Sequence, residues 1–235
     1  MFQELTASAA LKFFQEISGN HLSCFDMSYN QLKDDGVVFL LTSLVMRINH
    51  PPLLHQPVTV TTWHRGTRGA QFMRDTAIYS DEGKALVECS AAWVLVDPQD
   101  HKIIRPRDYK KIETVPPQPQ KVLLDGRRAF IKCPPEMEFL GTRKILYSDI
   151  DYNHHLNNTK YTDIITDLIS KELQGQRIYE LELVYSGEAS LFDTIELYVK
   201  KEPDESLIFK GVHARGRCFE ARVRLVERDQ HQKVF

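Results

Sequence analysis

The helix on which the fold depends lies at residues 157–169, which read NNTKYTDIITDLI. Its apolar side chains recur at i, i+3, i+4, i+7 and i+8, a spacing that places them in one stripe along a helix. They are Tyr161, Ile164, Ile165, Leu168 and Ile169. Asn157 or Asn158 can cap the start of this helix, and Gly175 is expected just past its end. Such a helix has to bury its stripe against another element.

Four strands are predicted after this helix, because alternating or β-branched segments are separated there by turn residues. These strands are 178–185, 194–200, 207–213 and 217–226. On the first strand the side chains are expected to alternate between the two faces of the sheet. One face would carry Leu181, Leu183 and Tyr185, and the other would carry Glu180, Glu182 and Val184.

The first half of the chain repeats this order of elements. An apolar-periodic segment from Ala9 to Leu32 predicts a helix. The predicted strands are 37–48, 57–63, 73–79 and 85–96, with a hairpin turn at 80–83. Two halves that each combine a helix with an antiparallel sheet predict an α+β chain of the double hot dog type, with the two sheets continuous.

A Pro-rich segment separates the two halves. Residues 110–138 contain five prolines and two clusters of charge, a composition typical of a linker. We therefore predict an N-terminal domain at 1–115, a linker at 116–137 and a C-terminal domain at 138–235.

Composition excludes several classes of protein. The chain has 235 residues, of which 42% are hydrophobic, and a formal net charge of −2, so it lacks the basic excess of a nucleic-acid binder. No apolar run reaches the roughly 18 residues that span a bilayer. The first ten residues lack the pattern of a secretory signal, so we expect a cytoplasmic protein. The cysteines are scattered and predict free thiols. They are Cys24, Cys89, Cys133 and Cys218.

The densest group of reactive side chains lies directly before the second helix, at residues 147–158. The positive end of the helix and its free N–H groups could hold an oxyanion there. In a loop, the spacing of Asp151, Asn153 and His155 lets the three side chains converge on one point. The alternatives are plain turn and cap residues or a metal site made from Asp149, Asp151, His154 and His155. Adjacent histidines usually point apart, so we predict no metal at this segment. We predict no cofactor either.

Glu188 adds a carboxylate from a separate part of the chain. It lies in a turn between two strands of the second half, after the strand expected beside the helix start. A single acidic residue in a turn is usually just solvated. Here the position of the turn predicts that Glu188 lies near His155.

The run from Ser148 to Tyr161 resembles the sequence motif of acyl-acyl carrier protein (acyl-ACP) thioesterases, a family of plant plastid enzymes and bacterial relatives. Residues 181–188 resemble a second block of that family. In the first half the similar segments are Thr62-Trp63-His64-Arg65-Gly66, Arg74-Asp75 and Ala92-Trp93-Val94-Leu95-Val96-Asp97. The resemblance extends in order over nearly the whole chain and implies a double hot dog thioesterase.

The resemblance also implies which residues act in catalysis. Asp151, Asn153, His155 and Glu188 match the family's catalytic positions. Many plant members carry a cysteine directly after the glutamate, and this chain carries Ala189 there. A cysteine nucleophile at that position is therefore not available.

These residues support direct attack of water on the thioester carbonyl. Either Glu188 or the pair Asp151 and His155 would take the proton from water. Asn153 would orient the water or the carbonyl, and N–H groups at the helix start would stabilise the oxyanion. The expected products are free fatty acid and holo-ACP.

The resemblance implies an acidic carrier protein as partner, whose 4'-phosphopantetheine arm bears the acyl group. It also implies an acyl pocket in the N-terminal half, for which the strand Val37 to Met46 and the segment around Trp93 are candidates. Three basic clusters are candidate docking patches. They are Arg65 with Arg68, then Arg105, Arg107, Lys110 and Lys111, then Arg127 with Arg128.

Two other functions remain open from the sequence. One is a hot dog thioesterase that acts on coenzyme A thioesters, and the other is a protein that binds acyl thioesters without cleaving them. The complete set of Asp151, Asn153, His155 and Glu188 favours an enzyme over a binding protein. The chain is expected to be a monomer or a homodimer.

Overall fold

The computed structural model describes residues 3–228, which fall into two compact units. We call Ala10–Arg128 the N-terminal unit, and the described parts of Met1–Ala9 and Ala129–Phe235 the C-terminal unit. The outer ends of the predicted domains, residues 1–2 and 229–235, lie outside the described residues. The predicted domain boundaries themselves stay a prediction.

The N-terminal unit is an antiparallel sheet preceded by helices. Helices α1 (Ala7–Ser23) and α2 (Tyr29–Asp34) come first. The strands are β1 (Val38–Ile48), β2 (Val58–Arg68), β3 (Gln71–Ser80), β4 (Ala85–Val96) and the short β5 (Ile103–Ile104). The order across the sheet is β2-β3-β4-β1, and β5 pairs with β4. The four long strands predicted from the sequence are thus confirmed.

The single helix predicted from Ala9 to Leu32 is wrong, because two helices occupy this segment. Asp26 has a φ of 56° in the left-handed region, which interrupts the helical backbone. Ser28 then caps α2, and its side chain and backbone form a capping box with Gln31. The apolar period continues past the break because Leu22, Met27 and Leu32 join one core.

That core fills the space between the helical segment and the sheet of the N-terminal unit. Met27 and Leu32 are buried against Phe72 of β3 and Leu95 of β4. Residues after β5 close it from another side through Ile112 and Val115.

Part of the Pro-rich segment is attached to the N-terminal unit. Three 3₁₀ helices lie between β5 and Arg128: Pro106–Asp108, Lys110–Thr114 and Leu124–Gly126. The indole Nε1 of buried Trp63 donates to the carbonyl of Lys121 at 2.7 Å, and Lys121 Nζ lies 3.8 Å from the indole centroid. The Leu123 N–H donates to buried Asp75 at 2.9 Å. These bonds hold residues 121–123 to β2 and β3.

The C-terminal unit repeats the combination of helix and antiparallel sheet. It contains β6 (Glu138–Lys144), α3 (Asn158–Leu168), β7 (Gln176–Tyr185), β8 (Thr194–Lys201), β9 (Leu207–His213) and β10 (Gly216–Glu227), with 3₁₀ turns at Tyr147–Asp149 and Glu172–Gln174. The strand order is β7-β10-β9-β8-β6. Strand β6 was not predicted, because it is a largely exposed edge strand without apolar alternation, and only its pairing with β8 defines it.

Helix α3 begins as predicted but ends earlier than predicted. The Asn157 side chain accepts the Thr159 N–H and caps the helix. The helix ends at Leu168, and Gly175 instead follows the 3₁₀ turn at Glu172–Gln174, so its predicted place at the end of α3 is wrong. The Tyr161 ring packs at 5.3 Å from both Tyr185 and Phe219, which attaches α3 to β7 and β10.

The alternating side chains of β7 are buried on both faces of the strand. Glu180 and Glu182 are buried on one face, as are Leu181 and Leu183 on the other. Arg224 stands directly opposite Glu180 and bonds it at 2.7 Å, and Arg222 stands opposite Glu182 at 3.5 Å. Buried carboxylates are tolerated where a cation compensates them, and cross-strand pairing supplies one for each.

Within residues 3–228 no helix is long and apolar enough to cross a membrane.

We predict that Gly211→Ala strongly destabilises the protein. A Cβ at this position would lie 2.1 Å from the Phe219 ring, and overpacking of this kind costs about 1–3 kcal/mol or more. Gly19→Ala is the control, since it lies within α1 with open space around it and should stabilise by about 0.5–1 kcal/mol. Urea unfolding measures both, and equal stability of the two variants would contradict the packing described here.

Candidate active site

The loop before α3 is folded back on itself at residues 150–156. Ile150 and Leu156 form an antiparallel bridge. Inside it, the Asp151 N–H donates to the His155 carbonyl at 2.9 Å, and the His154 N–H donates to the Asp151 carbonyl at 3.0 Å. His154 has a φ of 64°, a left-handed conformation that closes the turn. The backbone therefore fixes the position of His155 next to the start of the helix.

Asp149 anchors this loop through its side chain and its backbone carbonyl. Its buried carboxylate accepts two bonds from Arg143, at 3.1 and 3.2 Å, and one from the Leu146 N–H at 3.0 Å. Its carbonyl accepts the Asn157 N–H at 2.9 Å. All of its polar contacts hold β6 and the loop together, so Asp149 has a structural place beside the candidate residues.

Glu188 lies in a second loop, at residues 186–193 between β7 and β8. The N–H groups of Ser186 and Gly187 both donate to the Cys218 carbonyl of β10, at 2.9 and 3.2 Å. A Cβ on Gly187 would lie 2.8 Å from the Arg217 carbonyl oxygen. Only glycine allows the loop to lie this close to β10, one residue before Glu188.

The two loops are joined by backbone bonds. The Leu156 N–H donates to the Ala189 carbonyl at 2.7 Å, and His155 and Ser190 form an antiparallel bridge. The loop that carries His155 and the loop that carries Glu188 thus behave as two short paired strands.

This pairing brings the two side chains together. His155 Nε2 lies 3.3 Å from Glu188 Oε2. The side chains are 36% and 39% exposed, so the pair is partly shielded but open to water. An imidazole and a carboxylate at this distance can accept, hold and return a proton.

The other two predicted residues have a different placement. Asp151 Oδ1 accepts the backbone N–H of Asn153 at 2.8 Å, so this carboxylate is engaged within its own turn. Asn153 is exposed at the tip of the loop. The structure pairs the side chains of His155 and Glu188, and it places Asp151 and Asn153 on the same loop next to them.

The start of α3 offers fewer free donors than expected. Asn157 occupies two N–H groups of the first turn, that of Thr159 through its side chain and that of Lys160 through its carbonyl. The expectation that these groups are free to hold an oxyanion is therefore wrong for both.

Tyr161, which the sequence placed only in the apolar stripe, is a buried residue of α3. Burial raises the pKa of its hydroxyl, and the negative charges of Glu188 and Asp151 raise it further, so the hydroxyl stays neutral. Its position within a regular apolar period gave no signal for this electrostatic coupling.

Within the part of the chain that the structure describes, no reactive cysteine thiol is available at this site to act as a nucleophile. Ala189 is fully buried at the position after Glu188. The nearby Cys218 is buried too, and burial raises the pKa of its thiol to about 12. A thiol of that pKa is protonated near neutral pH and is a poor nucleophile.

One of the predicted docking clusters loses a member, because Arg65 is not accessible. The Arg65 side chain is only 10% exposed and pairs with the fully buried Asp75 at 3.4 Å, so it cannot serve as a landing point. Arg68, Arg105, Arg107 and Arg128 remain exposed cations of the N-terminal unit.

A groove of about 780 Å³ lies elsewhere in the C-terminal unit, near the last residues of α3. Its apolar lining includes Leu168, Ile169 and Phe209. None of the four candidate residues lines it. In the N-terminal unit, Trp93 is only partly buried against the core described above, and it stays a candidate for the acyl pocket.

Comparison with solved structures identifies the fold. The chain superposes on an acyl-ACP thioesterase from Bacteroides thetaiotaomicron with a TM-score of 0.81 and 19% identity, over 95% of this chain and 91% of that chain. It superposes on the 12:0-ACP thioesterase from Umbellularia californica with a TM-score of 0.82 and 15% identity, over 96% of this chain and 92% of that chain. The predicted double hot dog fold is thereby confirmed.

The sequence then identifies the family. Residues 1–110 match the acyl-ACP thioesterase N-terminal domain, and residues 136–220 match the acyl-ACP thioesterase C-terminal domain. The chain belongs to the acyl-ACP thioesterase family.

Two plant relatives are similar over most of this chain. It is 25% identical to the chloroplastic acyl-[acyl-carrier-protein] hydrolase FATB2 of Cuphea viscosissima, over 82% of this chain and 50% of that protein. It is 24% identical to the chloroplastic palmitoyl-acyl carrier protein thioesterase of Cuphea hookeriana, over 82% of this chain and 49% of that protein. The chain thus spans about half the length of these relatives.

Asp149 allows a test of the anchor beneath the site. Asp149→Ala removes a buried carboxylate and takes away the acceptor of Arg143 Nη2 and of the Leu146 N–H, so it should cost about 2–4 kcal/mol of unfolding free energy. Asp163→Ala removes the partner of Lys160 in a surface pair and should cost less than about 1 kcal/mol. Chemical denaturation compares the two, and an equal loss would show that the loop does not depend on Asp149.

Proposed function

We propose that this protein hydrolyses fatty acyl-ACP thioesters to free fatty acid and holo-ACP. The observation that carries the proposal is the 3.3 Å approach of His155 and Glu188, which both lie within the residues that match the C-terminal domain of the family. The relatives named hydrolases and thioesterases of acyl carrier protein support the same substrate class.

The reaction uses water as the nucleophile. The His155–Glu188 pair takes a proton from a water molecule on its open side, and the resulting hydroxide attacks the thioester carbonyl. The carbon–sulfur bond of the tetrahedral intermediate then breaks, and the proton returns to the departing thiolate. Thiolates are good leaving groups, so the pair needs to supply little at that stage.

Asp151 and Asn153 have supporting parts in this proposal. Asp151 holds the Asn153 backbone at 2.8 Å and so fixes the tip of the loop, from which the Asn153 amide orients the water or the carbonyl. Because Asn157 occupies the N–H groups of Thr159 and Lys160, the Asn153 amide is the side-chain donor to the oxyanion in this proposal.

Substitution of the pair tests the reaction. Glu188→Gln keeps the shape and removes the charge, and His155→Ala removes the imidazole. Each should lower kcat by about 10²-fold or more, the scale of acid–base catalysis. His154→Asn is the matched control, because His154 is the exposed neighbour of His155 and asparagine tolerates its left-handed backbone, so this variant should retain full activity. Thiol release from acyl-ACP is the measurement, and full activity of His155→Ala would refute the mechanism.

The carrier is tested by comparing substrates. Acyl-ACP should be hydrolysed with a higher kcat/KM than the coenzyme A thioester of the same acyl chain, because an acidic carrier protein can contact more of the surface cations at once than the smaller coenzyme can. Raising the salt concentration from 0.05 to 0.5 M (about a threefold shorter screening length) should reduce the preference for ACP. A preference for coenzyme A at both salt concentrations would identify an acyl-CoA thioesterase. Binding of either thioester without thiol release would identify a binding protein.

Acyl-chain binding in the N-terminal unit, a cytoplasmic location and a monomeric or homodimeric state remain parts of this proposal.

A further inference from the structure

The carbonyl of Glu188 is held by two side chains from the hairpin between β9 and β10. His213 Nε2 lies 3.0 Å from this oxygen, and Arg215 Nη2 donates to it at 3.1 Å. A carbonyl oxygen has two lone pairs, so both of its acceptor sites are filled. Neither residue belongs to the loop before α3 or to the loop that carries Glu188.

The tautomer of His213 follows from its second contact. The backbone N–H of Arg215 donates to Nδ1 at 3.1 Å, and a backbone N–H can only be a donor. Nδ1 is therefore an acceptor, and the ring hydrogen resides on Nε2, where it donates to the Glu188 carbonyl. Since His213 is only 7% exposed, its ring is locked in this orientation by both bonds.

Arg215 also fixes the far end of the same loop. It makes two bonds to Asp193, at 2.6 and 3.1 Å, and Asp193 Oδ2 accepts the Ser190 N–H at 2.7 Å. Planar pairs of this kind are geometrically specific. The hydrogen bond from Arg215 lowers the pKa of Asp193, which keeps that carboxylate charged. One arginine thus connects Glu188 with the residues that close the loop behind it.

We propose that His213 and Arg215 are positioning residues, which hold the Glu188 carboxylate against His155 by fixing the Glu188 backbone. The inference rests on the proposed function, because it assigns a purpose to the placement of Glu188. The glutamate side chain has three torsions of its own, so its contact with His155 requires a fixed origin. A displacement of about 1 Å at a reacting group can cost 10²-fold in rate.

The hairpin is well suited to this task. Only Ala214 and Arg215 separate β9 from β10, and Gly216 pairs directly with His213. Gly216 has a φ of 122°, which a residue with a side chain rarely adopts. The short turn places the Arg215 backbone N–H on the His213 ring and its guanidinium on the loop.

The test uses His213→Leu, His213→Gln and Arg215→Met, assayed with the acyl-ACP that the unsubstituted protein hydrolyses fastest. His213→Leu and Arg215→Met should lower kcat about 10-fold or more, with KM changed less than about twofold. His213→Gln keeps an N–H donor near the place of Nε2 and should recover most of the loss. Lys201→Met removes a surface cation of the same unit and should leave kcat unchanged.

A double substitution separates positioning from a general structural role. If His213 acts through Glu188, then His213→Leu should cause no further loss of kcat in a Glu188→Gln background. Additive losses, an unchanged kcat in His213→Leu, or an equal loss in His213→Gln would each overturn the inference.

Hydrogen exchange decides the matter independently of activity. In His213→Leu and Arg215→Met the amides of residues 186–193 should exchange at least about tenfold faster than in Lys201→Met, which corresponds to a local loss of about 1.4 kcal/mol. Unchanged exchange would show that the hairpin does not hold the loop. Failure of the unsubstituted protein to release thiol would refute the proposed function, whereas this exchange result would still stand.

Discussion

The site depends on one backbone interaction, the bond from the Leu156 N–H to the Ala189 carbonyl at 2.7 Å. It joins a loop that precedes a helix to a loop that connects two strands. Each loop contributes one member of the His155–Glu188 pair, and the side chains meet only because the backbones are paired beside them. A side-chain contact between two half-exposed groups contributes little stability of its own. The geometry therefore has to be supplied by the main chain.

Each loop in turn is anchored at a buried residue. In the loop that carries His155 the anchor is buried Asp149, which binds Arg143 and the Leu146 N–H. In the loop that carries Glu188 the anchor is the Cys218 carbonyl, which Gly187 can approach because it lacks a side chain. Both anchors belong to strands or turns next to the sheet of the C-terminal unit. The reactive pair can thus remain open to water while the elements that place it are buried.

Much of this arrangement could be predicted from the sequence, and the exceptions have physical causes. The apolar period of α3 and the alternating strands are local patterns, and the placement of Glu188 near His155 followed from the order of elements. The break between α1 and α2 was readable in principle, because Ser28 and Gln31 have the spacing of a capping box. Strand β6 and the burial of Glu180 and Glu182 on β7 could not be predicted, because they depend on pairing with β8 and with Arg222 and Arg224. His213 and Arg215 lie some 25 residues from Glu188, and no local pattern connects them with it.

The replacement of a cysteine by Ala189 is consistent with this arrangement. A thiol at that position would be enclosed, since Ala189 is fully buried, and burial keeps a thiol protonated, as it does for Cys218. The Ala189 backbone, by contrast, bears the bond on which the two loops depend. Any small side chain would satisfy that bond. The position is therefore constrained by its main chain and its volume. The reacting groups that water can reach are the His155 imidazole and the Glu188 carboxylate.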